Sequence, residues 1–231
     1  MKPMRRRTPR SVERWAAGAS ALLLCAAVLA HDAPAPPLEF VAPAPGTYRL
    51  ERIMRSPEGS VIDARRKRAP LSAYTRGKVT LLSLMYAGCS DRRGCPLAFY
   101  SIAKIKGDLE KSKAAGGRVQ VVSLSFDPER DTPERMRAYG GKHVTDSSPV
   151  PWHFLTTDSR PALAPLLDGF GQDVSRAARG SESGELLHVL KLFLIDRHGW
   201  VREIYTTSYL APQVVVNDIK TLLLEEGVKV N

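Results

Sequence analysis

The chain has 231 residues, of which 43% are apolar and 25% charged; 34 Lys and Arg stand against 24 Asp and Glu for a formal charge of +10, and there are only three Cys. That length and apolar fraction suit one packed domain with tails. They exclude a wholly disordered chain, and three Cys exclude a miniature fold stapled by disulfides.

Lys2, Arg5, Arg6, Arg7 and Arg10 precede an uncharged run from Trp15 to Ala30. Such a run is short for ~30 Å of hydrocarbon but suits the apolar part of a secretory signal, with small residues at Val28 and Ala30 for cleavage. Residues 1–30 are therefore expected to be a signal peptide or, if uncut, an N-terminal membrane anchor, and the protein to be exported to the periplasm, soluble or anchored to the inner membrane. Cys25 follows Leu24 rather than a small residue, so it reads as filler of the apolar run and not as a lipidation site.

Removing residues 1–30 takes away six basic residues and one acid, leaving a charge of about +5. The rest is scattered except for Arg65, Arg66, Lys67 and Arg68, without the aromatic interleaving that single-stranded nucleic acid needs. No nucleic-acid partner is expected, and a monomer is the default.

His31 to Gly46 is rich in Pro and Ala and lacks either period, so residues 31–47 read as an extended linker ahead of one domain at 48–231. Tyr48 to Met54 and Ser60 to Ala64 flank the turn signal Ser56-Pro57-Glu58-Gly59, which predicts an opening hairpin. Val79 to Tyr86 is an apolar run fit for a strand buried on both faces.

Next come Cys89 and Cys95 with five residues between them, then Pro96 and apolar residues at helical spacing (Leu97, Ile102, Ile105, Leu109). Pro96 suits a first helical position, which puts Cys95 at a helix N-terminus. Val119 to Phe126 gives a second apolar strand, and Asp131 or Thr132 can cap a helix opening at Pro133. Trp152 to Leu155 follows as a short strand, Ser159 to Phe170 as a helix, Leu187 to Ile195 as a long strand, Trp200 to Tyr205 as its hairpin partner and Ala211 to Glu226 as a closing helix. The alternation predicts an α/β fold with a central mixed sheet, helices on both faces and the N-terminal hairpin as an extension.

In an oxidising compartment Cys89 and Cys95 are a static disulfide, a redox couple or a metal site. The helix dipole, with Arg92 and Arg93 nearby, favours thiolate over thiol, and Gly88 and Gly94 let the loop turn tightly. Of the five His, His31 reads as tail, His143 as a loop or helix end, His153 as a strand neighbour of Trp152, and His198 as an exposed turn that could supply an extra ligand. Met85 reads as core.

Three stretches carry a resemblance: the Cys pair followed by Pro96 after an apolar strand; Ser125-Phe126-Asp127-Pro128-Glu129-Arg130-Asp131-Thr132-Pro133 after the next; and the run from His188 to Gly199. Together, in this order over roughly residues 48–226, the chain resembles the Sco/SenC family. The resemblance implies a thioredoxin-like fold and a copper-binding assembly factor for cytochrome c oxidase, with Cys89 and Cys95 as thiolate ligands, His188 as imidazole ligand, and an oxidase subunit as the copper-receiving partner. Two soft thiolates with one imidazole suit Cu(I), or Cu(II) with added ligands. Asp127 and the acids after it could orient a ligand from an outer shell, or cap the helix. The family usually separates its cysteines by three residues; with five, Cys89 must loop back to reach Cys95.

The alternative is a thiol–disulfide oxidoreductase in which Cys89 and Cys95 are the redox pair and a partner's cysteines, or a thiol reductant, the substrate. A peroxide-reducing enzyme is disfavoured, because Ala87-Gly88 stand where such enzymes place a Thr.

Overall fold

The computed structural model describes residues 41–91, 94–145, 147–176, 186–206 and 210–230. The leader at 1–30 with Cys25, His31 and most of the linker lie outside the described residues, as do Arg92 and Arg93. Among the described residues, no helix is long and apolar enough to cross a membrane.

Among the described residues, ten strands and five α-helices follow in chain order: β1 (Met54–Arg55), β2 (Ser60–Asp63), β3 (Arg68–Pro70), α1 (Ser72–Thr75), β4 (Val79–Met85), α2 (Cys95–Glu110), β5 (Val119–Ser125), α3 (Pro133–Gly140), β6 (Trp152–Thr156), α4 (Arg160–Gly169), β7 (Val174–Arg176), β8 (Leu186–His188), β9 (Leu192–Ile195), β10 (Trp200–Tyr205) and α5 (Pro212–Glu225). Eight strands form one mixed sheet in the order β1-β10-β9-β4-β5-β6-β2-β3, and β7 pairs with β8 in a separate ribbon. β4, β5 and β6 run parallel; the other pairings are antiparallel.

Every residue of β4 and β5 is buried. That explains why these two strands read from sequence as continuous apolar runs rather than alternating ones. α2 packs on α5, α5 and α1 on β4, and α3 on β6, so the sheet is flanked by helices.

Two expectations are corrected. The opening hairpin does not form between 48–54 and 60–64: β1 pairs with β10, Met54 opposite Val201, while β2 turns back into β3. The turn that forms is built on Asp63, whose Oδ1 accepts from the Arg65 and Lys67 N–H groups at 2.9 and 2.8 Å, with Arg66 at φ +66°. An Asp side chain that mimics a backbone turn makes Gly unnecessary here. The long strand predicted at 187–195 is two strands. β9 is buried on both faces against β4, whereas Val189 is 59% exposed and its carbonyl accepts from Gln172 Nε2 at 3.2 Å, which draws the preceding residues out into the ribbon with β7.

The described end of the linker is held against α5. Asn217 Nδ2 donates to the Pro43 carbonyl, Gly46 N–H to Thr221 Oγ1, and Tyr48 O–H to Asp218 Oδ1 at 2.5 Å; Tyr205 O–H donates to the other Asp218 oxygen at 2.7 Å. Burial pushes the Asp218 carboxyl up, opposed by the two phenol hydrogen bonds. Burial likewise pushes Tyr48 up to about 12.

The folded state thus holds its Asp218 proton to higher pH than the unfolded chain. From an ordinary carboxylate pKa of about 4 up to the raised value, the contribution of Asp218 to stability is expected to fall as pH rises. Asp218→Asn is expected to remove that slope in urea melts across the acid range. Asp218→Ala is expected to cost about 2 kcal/mol at neutral pH, because two phenols lose their acceptor.

Candidate metal centre

The site is assembled where β4 ends. The last strand residue, Met85, is followed by a turn in which Cys89 N–H donates to the Tyr86 carbonyl at 3.3 Å. Cys89 is half-buried on that turn. Cys95 opens α2, with Gly94 as N-cap and Pro96 in the first turn, where its missing N–H costs nothing. A Cβ built on Gly94 would stand 3.4 Å from the Cys89 sulfur and 3.2 Å from an Asp91 carboxylate oxygen. Glycine there makes room for Cys89 to loop back against the helix start.

His188 arrives from the other side, on the β7–β8 ribbon. Its Nε2 lies 3.6 Å from Cys95 Sγ, and the donor atoms of Cys89, Cys95 and His188 all lie within 4.8 Å of one another. The ring is packed edge-on to Tyr86, centroids 5.8 Å apart, and against Phe126 at 4.8 Å. Its Nδ1 is 3.2 Å from the Leu186 carbonyl. A proton on Nδ1 satisfies that carbonyl and leaves the Nε2 lone pair facing the sulfurs, the tautomer a ligand needs.

An ion bound at about 2.3 Å to sulfur and about 2.0 Å to imidazole nitrogen separates those two atoms by about 3.5–3.7 Å in tetrahedral or trigonal geometry. The observed 3.6 Å meets that requirement. Two thiolates and an imidazole fit a soft or borderline ion.

Cys95 is 1% exposed. Burial pushes its thiol up; hydrogen bonds from the Tyr86 and Cys95 backbone pull the other way, and the Cys89 charge adds to the rise. At Cys95, burial thus works against the thiolate that the helix terminus was expected to favour. Metal coordination supplies the compensating charge that a buried thiolate needs. A cleft of about 260 Å³ opens beside the sulfurs, lined by Tyr86, Cys89, Cys95, Pro96, Phe99 and Tyr139. Burial also pushes the Tyr139 phenol up, reinforced by charge on Cys95, Cys89 and Asp131.

The other candidates lie elsewhere. His143 packs against Phe99 and Trp152, and His153 against Tyr74. His198 is exposed in the β9–β10 turn, beyond the end of β9 away from His188. Met85 is core. Asp127 is buried, with Oδ2 3.6 Å from Arg130 Nε. The carboxylate that reaches the cysteine loop is Asp131, which accepts from Ala87 N–H. Sequence spacing offered Asp131 only as one of several acids or as a helix cap; the cap is Thr132, whose Oγ1 accepts from Arg135 N–H.

Sheet, flanking helices and the Cys-Cys-His group together define a thioredoxin-like α/β domain with a candidate metal centre beyond its central strand. The sequence profile of the SCO1/SenC family matches residues 64–224, and the chain belongs to that family. Among solved structures it is similar to copper-bound ScoI of Bradyrhizobium japonicum, with 21% identity, a TM-score of 0.58, and coverage of 73% of this chain and 98% of that one. It is also similar to copper-bound ScoI of Arabidopsis thaliana, with 18% identity, a TM-score of 0.61 and coverage of 73% and 97%. A third likeness is to BsSco, described as a Sco-family cytochrome c oxidase assembly protein with a disulfide switch, with 18% identity, a TM-score of 0.59 and coverage of 76% and 98%. At these identities the structural likenesses establish the fold. A comparison with curated proteins returned no match.

Proposed function

We propose that this chain is a copper chaperone that holds copper between Cys89, Cys95 and His188 and delivers it to a partner during assembly of a cytochrome c oxidase copper centre. The observation that carries this reading is the convergence of two sulfurs and one imidazole nitrogen within 4.8 Å. It is supported by the copper bound in the two ScoI neighbours and by the assembly role ascribed to BsSco.

Two thiolates and an imidazole stabilise Cu(I) in a trigonal site and hold Cu(II) when further ligands join. Handover is ligand exchange. A partner thiolate bonds to copper as a copper–cysteine bond here breaks, the released thiolate takes up a proton, and the oxidation state of the metal is unchanged. Cys95 is the buried member of the set, while Cys89 and His188 are both half-buried; thiolate exchange therefore begins at Cys89, and Cys95 and His188 retain the ion until a second partner ligand binds. The basic and apolar leader supports an exported protein, periplasmic and either free or held at the inner membrane.

One observation favours a second reading, a thiol–disulfide oxidoreductase: both cysteines are free thiols and close together. Cys89 would then be the attacking sulfur, since burial disfavours thiolate at Cys95.

Anaerobic titration of the reduced full chain with Cu(I), in competition with a chromophoric chelator, tests the first reading. One equivalent is expected to bind tightly to the wild type and to be lost in Cys89→Ser and in Cys95→Ser. Equal binding by the Cys89→Ser/Cys95→Ser double variant overturns it.

A further inference from the structure

Asp131 is a buried carboxylate to which the proposed copper chemistry gives no task. It is 0% exposed. Its Oδ2 accepts from Ala87 N–H at 2.9 Å and from Ser125 Oγ–H at 2.5 Å, and its Oδ1 lies 3.3 Å from Arg135 Nε. A carboxylate so deeply buried is costly unless its partners are well placed. Capping does not account for it, because Thr132 already caps α3.

Its partners indicate what it does. Ala87 lies two residues before Cys89, just past the end of β4, where the sheet ladder no longer takes up backbone N–H groups. Ser125 is the last residue of β5, paired with Met85 at the end of β4. Arg135 stands on α3 and covers the same turn from outside: a Cβ built on Gly88 would meet Arg135 Nη2 at 3.3 Å and the Tyr86 ring at 3.6 Å. One carboxylate therefore ties together the end of β5, the turn that leads to Cys89 and the guanidinium lying over that turn. Within the Tyr86–Cys89 turn the Cys89 N–H donates to the Tyr86 carbonyl at 3.3 Å, a long contact. Five residues then separate Cys89 from Cys95 at the start of α2.

We propose that Asp131, with Arg135, is the positioning device for Cys89. It fixes the Ala87-Gly88 backbone so that the Cys89 sulfur meets Cys95 and His188 at bonding distance from one ion. The inference rests on the copper-binding reading above and goes beyond it in assigning a residue that touches none of the three donors.

The test uses the reduced full chain. Copper affinity is measured by chelator competition, and site geometry by the sulfur-to-copper charge-transfer band and the EPR spectrum of the Cu(II)-loaded form, all below the melting temperature of each variant. Asp131→Ala is expected to weaken copper binding at least about 10-fold, the scale seen when an outer-shell partner is lost, and to shift the band. Asp131→Asn keeps a carbonyl oxygen for Ala87 N–H and is expected to restore the band and most of the affinity. A merely structural carboxylate would lower the melting temperature in Asp131→Ala and leave the spectrum of the folded protein unmoved.

Wild-type affinity and spectrum in Asp131→Ala, or no recovery in Asp131→Asn, overturns the proposal. If Asp131→Ala does not fold, the half-exposed Arg135 decides: Arg135→Met is expected to shift the band in a folded protein, and an unmoved band overturns the proposal. Failure of the wild type itself to bind copper would instead overturn the parent reading, so the two failures are distinguishable.

Discussion

His188→Ala is expected to reduce copper affinity at least about 100-fold, beyond the 10–100-fold that follows loss of an outer-shell partner, while the reduced chain stays folded. The imidazole is the one nitrogen among the three converging donors and is locked between Tyr86 and Phe126 with its Nε2 toward Cys95. Without it two sulfurs remain, a pair that can still grip Cu(I) weakly but offers Cu(II) too few donors. The EPR signal of a bound Cu(II) should therefore disappear. The same variant separates the two functional readings, because disulfide exchange needs only the sulfurs. Exchange with a small disulfide is expected to stay within about twofold of wild type, since attack depends on the thiolate and its access. Retained copper affinity together with lost exchange activity would reverse the assignment.

The parts of this site differ in how far they could be read from sequence, and the differences have physical causes. Cys89 and Cys95 were legible because a Cys pair between an apolar strand and a Pro-opened helix is a local pattern, and the helix does start at Cys95. His188 is 93 residues away from Cys95 and was legible only through the family resemblance; no periodicity announces a residue on a three-residue ribbon. The contact of Asp131 with Ala87 spans 44 residues and joins two loop ends, which residue spacing does not record.

The same limit explains the misread elements. β4 and β5 are buried on both faces and declare themselves by composition, whereas β1 is two residues long and owes its pairing to Val201 across the sheet. The Ser56-Pro57-Glu58-Gly59 stretch forms no turn; it links strands that join different parts of the sheet. The hairpin turn that forms was marked in sequence only by Asp63, a residue type that favours turns, and its two hydrogen bonds to the backbone appear only in the structure.

A second large effect is expected far from the sulfurs in sequence but mechanically joined to them. Gly140 is helical, at φ −67° and ψ −28°, so its backbone does not require glycine. Space does: a Cβ there would stand 2.6 Å from Phe154 Cε2 and Val144 Cγ2 and 2.7 Å from Phe154 Cδ2. Phe154 cannot give way, being 1% exposed, stacked on Trp152 at 5.1 Å and faced by Tyr139 at 6.3 Å. Alanine would gain at most about 1 kcal/mol in helix propensity, against an overpacking cost of about 3 kcal/mol or more where a rigid ring is struck. Gly140→Ala is thus expected to lower the melting temperature by about 5 °C or more. If α3 relieves the clash by lifting from β6, it carries Tyr139 away from the sulfur cleft and Arg135 away from Gly88. Copper affinity should then fall in the folded variant as well, as chelator competition below the melting temperature would show. A melting temperature within a degree of wild type would mean that the α3–β6 contact is looser than its distances imply, and that α3 is not the rigid support on which the cysteine loop rests.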